Sequence, residues 1–127
     1  GAGGIAVPLA GEYLIGDLAK AMAVPVIVVA LPGLGTVNHT VLTVEYARGK
    51  GLNVAGIILN FWDCADVLAK SNLAWIERLT GVPVIGKVPR AAGVNVEAGQ
   101  VSGLAGLAQK YIDMAYIINV MDRGEKR

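Results

Sequence analysis

Three short apolar runs constrain the fold of this chain more than any other feature of its sequence. They lie at residues 24–29, 54–59 and 82–86, are rich in valine and isoleucine, and do not alternate apolar with polar positions. Continuous apolar runs of this length are typical of strands buried on both faces, as in parallel sheets. The first and third share the entry Val-Pro-Val-Ile, and proline is tolerated at the start of a strand.

Helical patterns separate these runs. Residues 36–48 and 66–79 repeat apolar positions at helical spacing, and residues 12–23 and 101–111 are weaker helix candidates. Alternation of helix and strand predicts an α/β fold with a parallel sheet, flanking helices and right-handed crossovers. Three strands make a thin sheet, so we expect residues 1–121 to be the C-terminal part of one α/β domain, followed by a charged tail at 122–127.

Composition excludes several classes of protein. Of the 127 residues, 54% are hydrophobic and 17% charged, the reverse of a disordered chain, and a net charge of +1 offers no footprint for nucleic acid or membrane surfaces. One cysteine and one histidine exclude a disulfide scaffold and a structural zinc site within the chain. The apolar runs fall short of the ~20 residues of a spanning helix, and no secretory signal is visible. These features predict a soluble, cytoplasmic protein.

Ligands of open α/β sheets bind beyond the carboxyl ends of the strands, where three loops are expected here. In the first, at 31–39, two glycines allow a tight turn and Thr36 can cap the next helix, which suits a carboxylate or phosphate; an ordinary capped turn is the alternative. The second begins at Asn60, whose amide could read a base edge or simply end the strand. The third covers residues 88–93.

A loop that grips phosphate is missing from the 127 residues. The pattern G-x-x-x-x-G-K-[ST] does not occur in them, and Gly1-Ala2-Gly3-Gly4 does not complete G-x-G-x-x-G in the required strand context. We therefore assign no catalytic residue and no metal ligand.

An ordered series of segments nevertheless resembles one enzyme family, dethiobiotin synthetase, and the resemblance covers about the C-terminal half of that family's domain. The segments are Gly1-Ala2-Gly3-Gly4, Val7-Pro8-Leu9, Asp17-Leu18-Ala19, Pro25-Val26-Ile27-Val28-Val29, Gly33-Leu34-Gly35-Thr36-Val37-Asn38-His39-Thr40, residues 52–60 and Gly81-Val82-Pro83-Val84-Ile85-Gly86. Their shared order, with the Asn38-His39 pair at the centre, is more specific than any single glycine loop.

The resemblance implies a P-loop NTPase-like fold and a homodimeric, ATP- and Mg²⁺-dependent carbon–nitrogen ligase of biotin biosynthesis. That family joins CO₂ to 7,8-diaminononanoate: a carbamate forms, ATP phosphorylates it, and the second amine displaces phosphate to close the ureido ring of dethiobiotin. The family's P-loop, catalytic lysine and Mg²⁺-binding aspartate would all lie upstream of Gly1. We therefore expect this chain to be a fragment that is inactive alone.

Site residues follow from the resemblance position by position. It implies that Gly1, Ala2 and Gly3 lie against the nucleotide and substrate, and that Asn60 reads adenine. Backbone of the segment Pro89-Arg90-Ala91 would complete the base pocket, with Glu97 near it. The segment Gly35-Thr36-Val37-Asn38 would hold the carboxylate tail of the substrate across the dimer interface.

Three other interpretations remain open at this stage. A related P-loop amidoligase, such as a cobyrinate diamide synthase, shares the strand pattern. A non-catalytic binding module could keep a P-loop-like fold without its nucleotide site. A split enzyme would carry the P-loop on another chain and would co-purify with it.

Overall fold

The computed structural model describes residues 3–95 and 97–124 and confirms the α/β fold with a parallel sheet. Ten elements follow one another along the chain: β1 (Pro8–Ala10), β2 (Tyr13–Leu14), α1 (Ile15–Met22), β3 (Val26–Ala30), α2 (Thr36–Gly49), β4 (Val54–Asn60), α3 (Val67–Thr80), β5 (Val84–Val88), α4 (Leu104–Tyr111) and α5 (Met114–Gly124). None of the described helices is long and apolar enough to cross a membrane.

The sheet has the order β3-β4-β5, and both neighbouring pairs are parallel. In the register, Ala30 pairs with Leu59, and Asn60 pairs with Val88. The carboxyl ends of the three strands therefore meet at one edge, as parallel crossovers require. Pro25 and Pro83 lie just before β3 and β5, which agrees with their interpretation as residues of strand entry.

Helices α2 and α3 cover one face of the sheet. Fully buried side chains there come from both helices and from the central strand, because alternate residues of β4 point towards the helices. The core cluster consists of Val44, Ile57, Leu59, Ile76 and Val82, all at most 3% exposed. Helix α3 begins after Asp66, whose side chain accepts hydrogen bonds from the amides of Leu68 and Ala69.

The opposite face of the sheet is only partly covered. Helix α5 lies over it, and the Tyr116 hydroxyl donates to the carbonyl of Ala55 at 2.9 Å. A cavity of about 450 Å³ separates the helix from apolar side chains of the sheet such as Ile27 and Ile85. Val29 of β3 is 63% exposed, so this face does not form a closed core within the described residues.

The two outer strands of the sheet differ at their free edges. Ile112, between α4 and α5, forms an antiparallel bridge with Gly86, and the amide of Asp113 donates to the carbonyl of Ile85 at 2.8 Å. The edge of β5 is therefore occupied. Among residues 3–95 and 97–124, no strand pairs with the outer edge of β3.

Three elements depart from the sequence prediction. The β1–β2 hairpin was not predicted, and its second strand takes Tyr13 and Leu14 from the proposed first helix. Its strands of three and two residues are too short to show a periodic pattern. Helix α5 was also not predicted and runs to Gly124, past the proposed boundary at 121/122; residues 125–127 of the proposed tail lie outside the described residues.

An ion pair ties the start of α1 to the end of α2. The Asp17 carboxylate accepts a hydrogen bond from the Lys50 ammonium and another from the amide of Leu14, at 2.9 Å for the latter. The Lys50 hydrogen bond, followed by the Leu14 amide, holds the pKa of Asp17 below its ordinary value of 3.8. The same pair raises the pKa of Lys50.

We expect Asp17→Asn to lower the thermal midpoint at neutral pH and to matter progressively less in acid. Because folding lowers the pKa of Asp17, its contribution is present above pH 3.8 and is lost as the pH falls through the folded pKa. Melting curves of both proteins between pH 7 and pH 2.5 measure this difference. Glu12→Gln removes an exposed carboxylate as a control, and a gap between wild type and Asp17→Asn that is constant with pH would contradict the assignment.

Candidate functional site

The first loop at the carboxyl edge joins β3 to α2 through Gly35. This glycine is the N-cap of α2 with a φ of +86°, a left-handed conformation that side chains rarely adopt. The prediction that Thr36 caps the helix is wrong. Thr36 is the first helical residue, is buried, and its hydroxyl lies 3.5 Å from that of Thr40, while its amide donates to the carbonyl of Gly33.

The next two residues present their backbone amides to this edge, and Asn38 also presents its side chain. The side chain of Val37 packs against the core cluster, whereas Asn38 is exposed. Within the described chain, the amides of Val37 and Asn38 donate to no backbone carbonyl, as expected for the first turn of a helix. Of the predicted carboxylate-binding segment 35–38, the free groups are therefore these two amides and the Asn38 side chain.

Asn72 of α3 supports this loop and was not found from the sequence. Its carboxamide donates to the carbonyls of Pro32 and Gly33 at 2.9 and 3.3 Å. The residue lies 40 positions from Pro32 along the chain, so only the packing of α3 beside α2 brings them together. The neighbouring sequence of a polar residue within a helix does not indicate whether its side chain will make such a contact.

Gly35→Ala is expected to destabilise the chain by about 1–2 kcal/mol, because an L-residue is strained at positive φ. A Cβ at Gly35 would also lie 3.1 Å from Cε1 of His39. Gly49→Ala, at the other end of the same helix, is a matched control, since a Cβ there meets no atom within 4 Å and no positive φ is required. It should stabilise by up to about 1 kcal/mol. Urea unfolding of the two variants measures both, and equal effects would contradict the role of Gly35.

The second and third loops are joined directly. Asn60 ends β4 opposite Val88 of β5, and two residues later the amide of Trp62 donates to the carbonyl of Val88 at 2.8 Å. Between them, Phe61 has a φ of +59°. The loop thus turns sharply after Asn60 and folds back against β5.

Cationic side chains stack on the aromatic residues of this loop. The guanidinium carbon of Arg90 lies 4.3 Å from the centroid of the Phe61 ring, and Nζ of Lys87 lies 5.8 Å from that of Trp62. Both distances are within the range of cation–π contacts. Arg90 is exposed, and its neighbours Pro89 and Ala91 are half-buried. The structure therefore brings Asn60 together with the segment 89–91, as the base-pocket interpretation requires.

Of the remaining predicted site residues outside the segment 35–38, the structure describes Gly3 and Glu97. Gly3 lies against Val7. The carbonyl of the nearby Ile5 accepts a hydrogen bond from the amide of Gly16, and Gly16 in turn lies close to Lys50 at the C-terminal end of α2. Glu97 is exposed in a turn closed by a bridge between Asn95 and Gln100. Gly1 and Ala2, also predicted to contact the nucleotide, lie outside the described residues.

The part of the chain that the structure describes contains no preformed binding site for a divalent cation. No three His, Cys, Asp or Glu side chains come together there in an arrangement that could hold a metal ion. Mg²⁺ prefers carboxylate and phosphate oxygens, so the described residues do not fit it. The single cysteine, Cys64, is exposed and free.

Comparison with known proteins finds one matching family model and several similar proteins. A family model described as an AAA domain matches residues 1–98. The ATP-dependent dethiobiotin synthetase BioD of Bacillus subtilis subsp. natto is 44% identical over 122 residues, which cover 95% of this chain and 51% of that protein. The protein of the same name from Bacillus velezensis is 42% identical over 125 residues, with coverages of 98% and 52%. That from Bacillus cereus strain B4264 is 53% identical over 94 residues, with coverages of 73% and 39%.

These relatives confirm the resemblance to dethiobiotin synthetase that the sequence indicated. The chain spans about half the length of the curated relatives it matches, as the alignment to half a domain predicted. The match of the family model extends from the first glycine segment through the loop after β5, and so includes Asn60 and Arg90. The chain therefore belongs to the AAA domain family, whose members have a P-loop NTPase fold.

Proposed function

We propose that this chain is the adenine- and carboxylate-binding portion of a dethiobiotin synthetase. In this function Asn60 pairs with the edge of the adenine, and backbone of the segment 89–91 closes the base pocket. Gly35, the amides of Val37 and Asn38, and the Asn38 side chain bind the carboxylate tail of 7,8-diaminononanoate. Gly1, Ala2 and Gly3 contact the nucleotide and substrate, and Glu97 lies near the base.

One observation carries the proposal: Asn60 and the segment 89–91 meet at the carboxyl edge of the sheet. The Trp62–Val88 hydrogen bond joins the two loops, so Asn60 and the start of the segment 89–91 lie side by side at this edge. A carboxamide offers one donor side and one acceptor side, which matches the paired acceptor and donor of an adenine edge. Names of relatives at 42–44% identity, which specify ATP dependence, support the same ligand.

The substrate tail is the second ligand of this edge. Ala30 pairs with Leu59, so the loop after β3 lies beside the loop that begins at Asn60. Two free amides at a helix N-terminus favour a carboxylate through hydrogen bonds and the helix dipole. The described loop contains no lysine or arginine, so the carboxylate would be bound by backbone amides and the Asn38 side chain.

The reaction also requires groups that this sequence does not supply. The 127 residues contain no G-x-x-x-x-G-K-[ST] loop, and phosphoryl transfer depends on positioning the phosphates and Mg²⁺. We therefore place the Mg²⁺ ligands and the phosphate loop in sequence upstream of residue 1, and propose that the chain alone does not turn over. The assembled enzyme is proposed to be a cytoplasmic homodimer without nucleic-acid or membrane partners, in keeping with a net charge of +1.

Adenine recognition is tested by Asn60→Ala. We expect about tenfold weaker binding of ATP, because the variant loses a paired hydrogen bond in a partly buried site. Titration followed by Trp62 fluorescence in a Trp75→Phe background measures the affinity. Asn53→Ala changes an exposed asparagine at the other end of β4 and should leave it unchanged. Equal affinity of wild type and Asn60→Ala, or no ATP binding by wild type, would contradict the proposal.

Activity is tested by reconstitution. The chain is incubated with diaminononanoate, bicarbonate, Mg²⁺ and ATP, alone and after co-refolding with the part of the Bacillus subtilis relative that it does not match. Dethiobiotin is expected only in the second mixture. Formation of dethiobiotin by the chain alone would disprove the assignment of the phosphate loop elsewhere. ATP binding without turnover in either mixture would favour a non-catalytic binding module, and turnover of cobyrinate would favour a related amidoligase.

A further inference from the structure

Phe61 adopts a conformation that the surrounding structure must enforce. Its φ of +59° lies in the left-handed region, where a bulky aromatic residue is an outlier. The ring is not buried in a core that would compensate for this, since it remains 43% exposed. Strained residues of this kind persist only where neighbouring contacts determine the backbone, and they cluster at binding sites.

Two contacts act on this residue from the neighbouring strand. The amide of Trp62 is held by the carbonyl of Val88, and the guanidinium of Arg90 stacks on the Phe61 ring at 4.3 Å. Both partners belong to the end of β5 or the loop after it. The stack therefore bridges the two loops that carry Asn60 and the segment 89–91.

We propose that Phe61 and Arg90 form a positioning pair, which fixes the spacing between the Asn60 carboxamide and the backbone of residues 89–91. The proposal rests on the proposed adenine site and adds two side chains to it. Neither side chain needs to touch the base: Phe61 turns the chain immediately after Asn60, and Arg90 anchors that turn to the opposite wall. A pocket held in this way loses less conformational freedom on binding a planar base, and so binds it more tightly.

The effect on the loops is tested without any ligand. Arg90→Met keeps an extended apolar side chain but removes the planar cation, so the Trp62–Val88 hydrogen bond should open more often. Amide exchange of Trp62, measured by NMR, is expected to accelerate about threefold to tenfold, the range of a partly exposed cation–π contact. Arg78→Met is the matched control, because Arg78 stacks on Trp75 at 5.3 Å on α3 and should leave the Trp62 amide unchanged. Unchanged exchange in Arg90→Met would overturn the proposal.

The effect on binding is tested with ATP. Arg90→Met and Phe61→Gly are each expected to weaken ATP binding about threefold to tenfold. The double variant should bind ATP no more weakly than either single variant, because both substitutions remove the same interaction. Phe61→Tyr keeps the ring and should retain wild-type affinity. Phe61→Gly also relieves the positive φ, so its thermal midpoint should equal or exceed that of wild type. A purely structural role predicts the opposite pattern for Phe61→Gly, a lowered midpoint with unchanged affinity for ATP, and that result would overturn the proposal.

The amide-exchange and ATP-binding experiments together distinguish a failure of this inference from a failure of the proposed function. Failure of wild-type chain to bind ATP would contradict the adenine site. In that case faster Trp62 exchange in Arg90→Met would still support the bridge between the loops, and unchanged exchange would reject it.

Discussion

Ile57→Ala is expected to destabilise the chain by about 2–5 kcal/mol, the usual range for truncating a fully buried isoleucine. Ile57 is 0% exposed at the centre of the core cluster, between Val28 and Val84 of the neighbouring strands. Urea unfolding monitored by circular dichroism gives the free energy of unfolding. A loss at the upper end of this range leaves the variant largely unfolded at 25 °C, which a flat urea profile would reveal.

The adjacent residue provides the matched control. Ile58 is the same side chain on the same strand but points to the face that α5 only partly covers, and it is half-buried. Ile58→Ala should therefore cost clearly less than Ile57→Ala, because less apolar area leaves water when this side chain folds. An equal cost for the two would contradict the description of one closed and one partly open face.

Gly56→Ala is expected to destabilise the chain by about 1–3 kcal/mol through overpacking. A Cβ at this position would lie 2.7 Å from Cδ1 and 2.9 Å from Cγ1 of Ile85, distances that real Cβ atoms essentially never show. The end of a flexible side chain could move aside, but here most of the Ile85 side chain faces the glycine. Strand β4 and strand β5 would have to separate, or Ile85 would have to leave its rotamer.

A double-mutant cycle isolates this contact. Ile85→Ala removes the three carbon atoms that would lie nearest to a Cβ at residue 56. In that background Gly56→Ala should be neutral or slightly stabilising, because the added methyl partly fills the space and lowers the entropy of the unfolded chain. If Gly56→Ala costs the same in both backgrounds, the close approach of Gly56 and Ile85 is not the cause of the destabilisation.

The sequence predicted the parts of the fold that depend on local pattern. Buried parallel strands need unbroken apolar runs, and β3, β4 and β5 lie where those runs occur. Helix α3 presents an apolar stripe, whereas the buried side of α2 includes Thr36 and Thr40 beside Val44 and Ala47. Both helices end at glycine-containing turns, so their bounds were predictable within a few residues. The β1–β2 hairpin was missed because its strands of three and two residues are too short to show a pattern. Helix α5 was also missed, and it contacts a distant segment through the hydrogen bond of Tyr116 with Ala55.

The candidate site likewise contains features that follow from local pattern and features that depend on distant contacts. Local pattern marked Asn60, a polar residue after a fully apolar strand, and the loop before α2, where glycines precede a helix, as candidate positions. Their proposed ligands, adenine and 7,8-diaminononanoate, came from the family resemblance and not from the pattern. The predicted capping role of Thr36 was wrong because a capping side chain and a buried first-turn hydroxyl look identical in sequence. The contacts of Asn72 with Pro32, and of Phe61 with Arg90, join residues tens of positions apart. No local pattern specifies which helix face or which ring such side chains will meet.

The two edges of the sheet differ in whether a further strand can pair with them. Ile112 and Asp113 occupy the hydrogen-bonding positions beside β5, so a further strand could not pair there without displacing them. Beside β3, which is an edge strand, no other strand occupies the outer backbone groups among the described residues. Any strand added to this sheet, from the same polypeptide or from another, can therefore join on one side only, and the loop that begins at Leu31 would then lie between that strand and Asn60. In a binding site completed in this way, Asn60 and Arg90 would line one side, and the added strand would line the other.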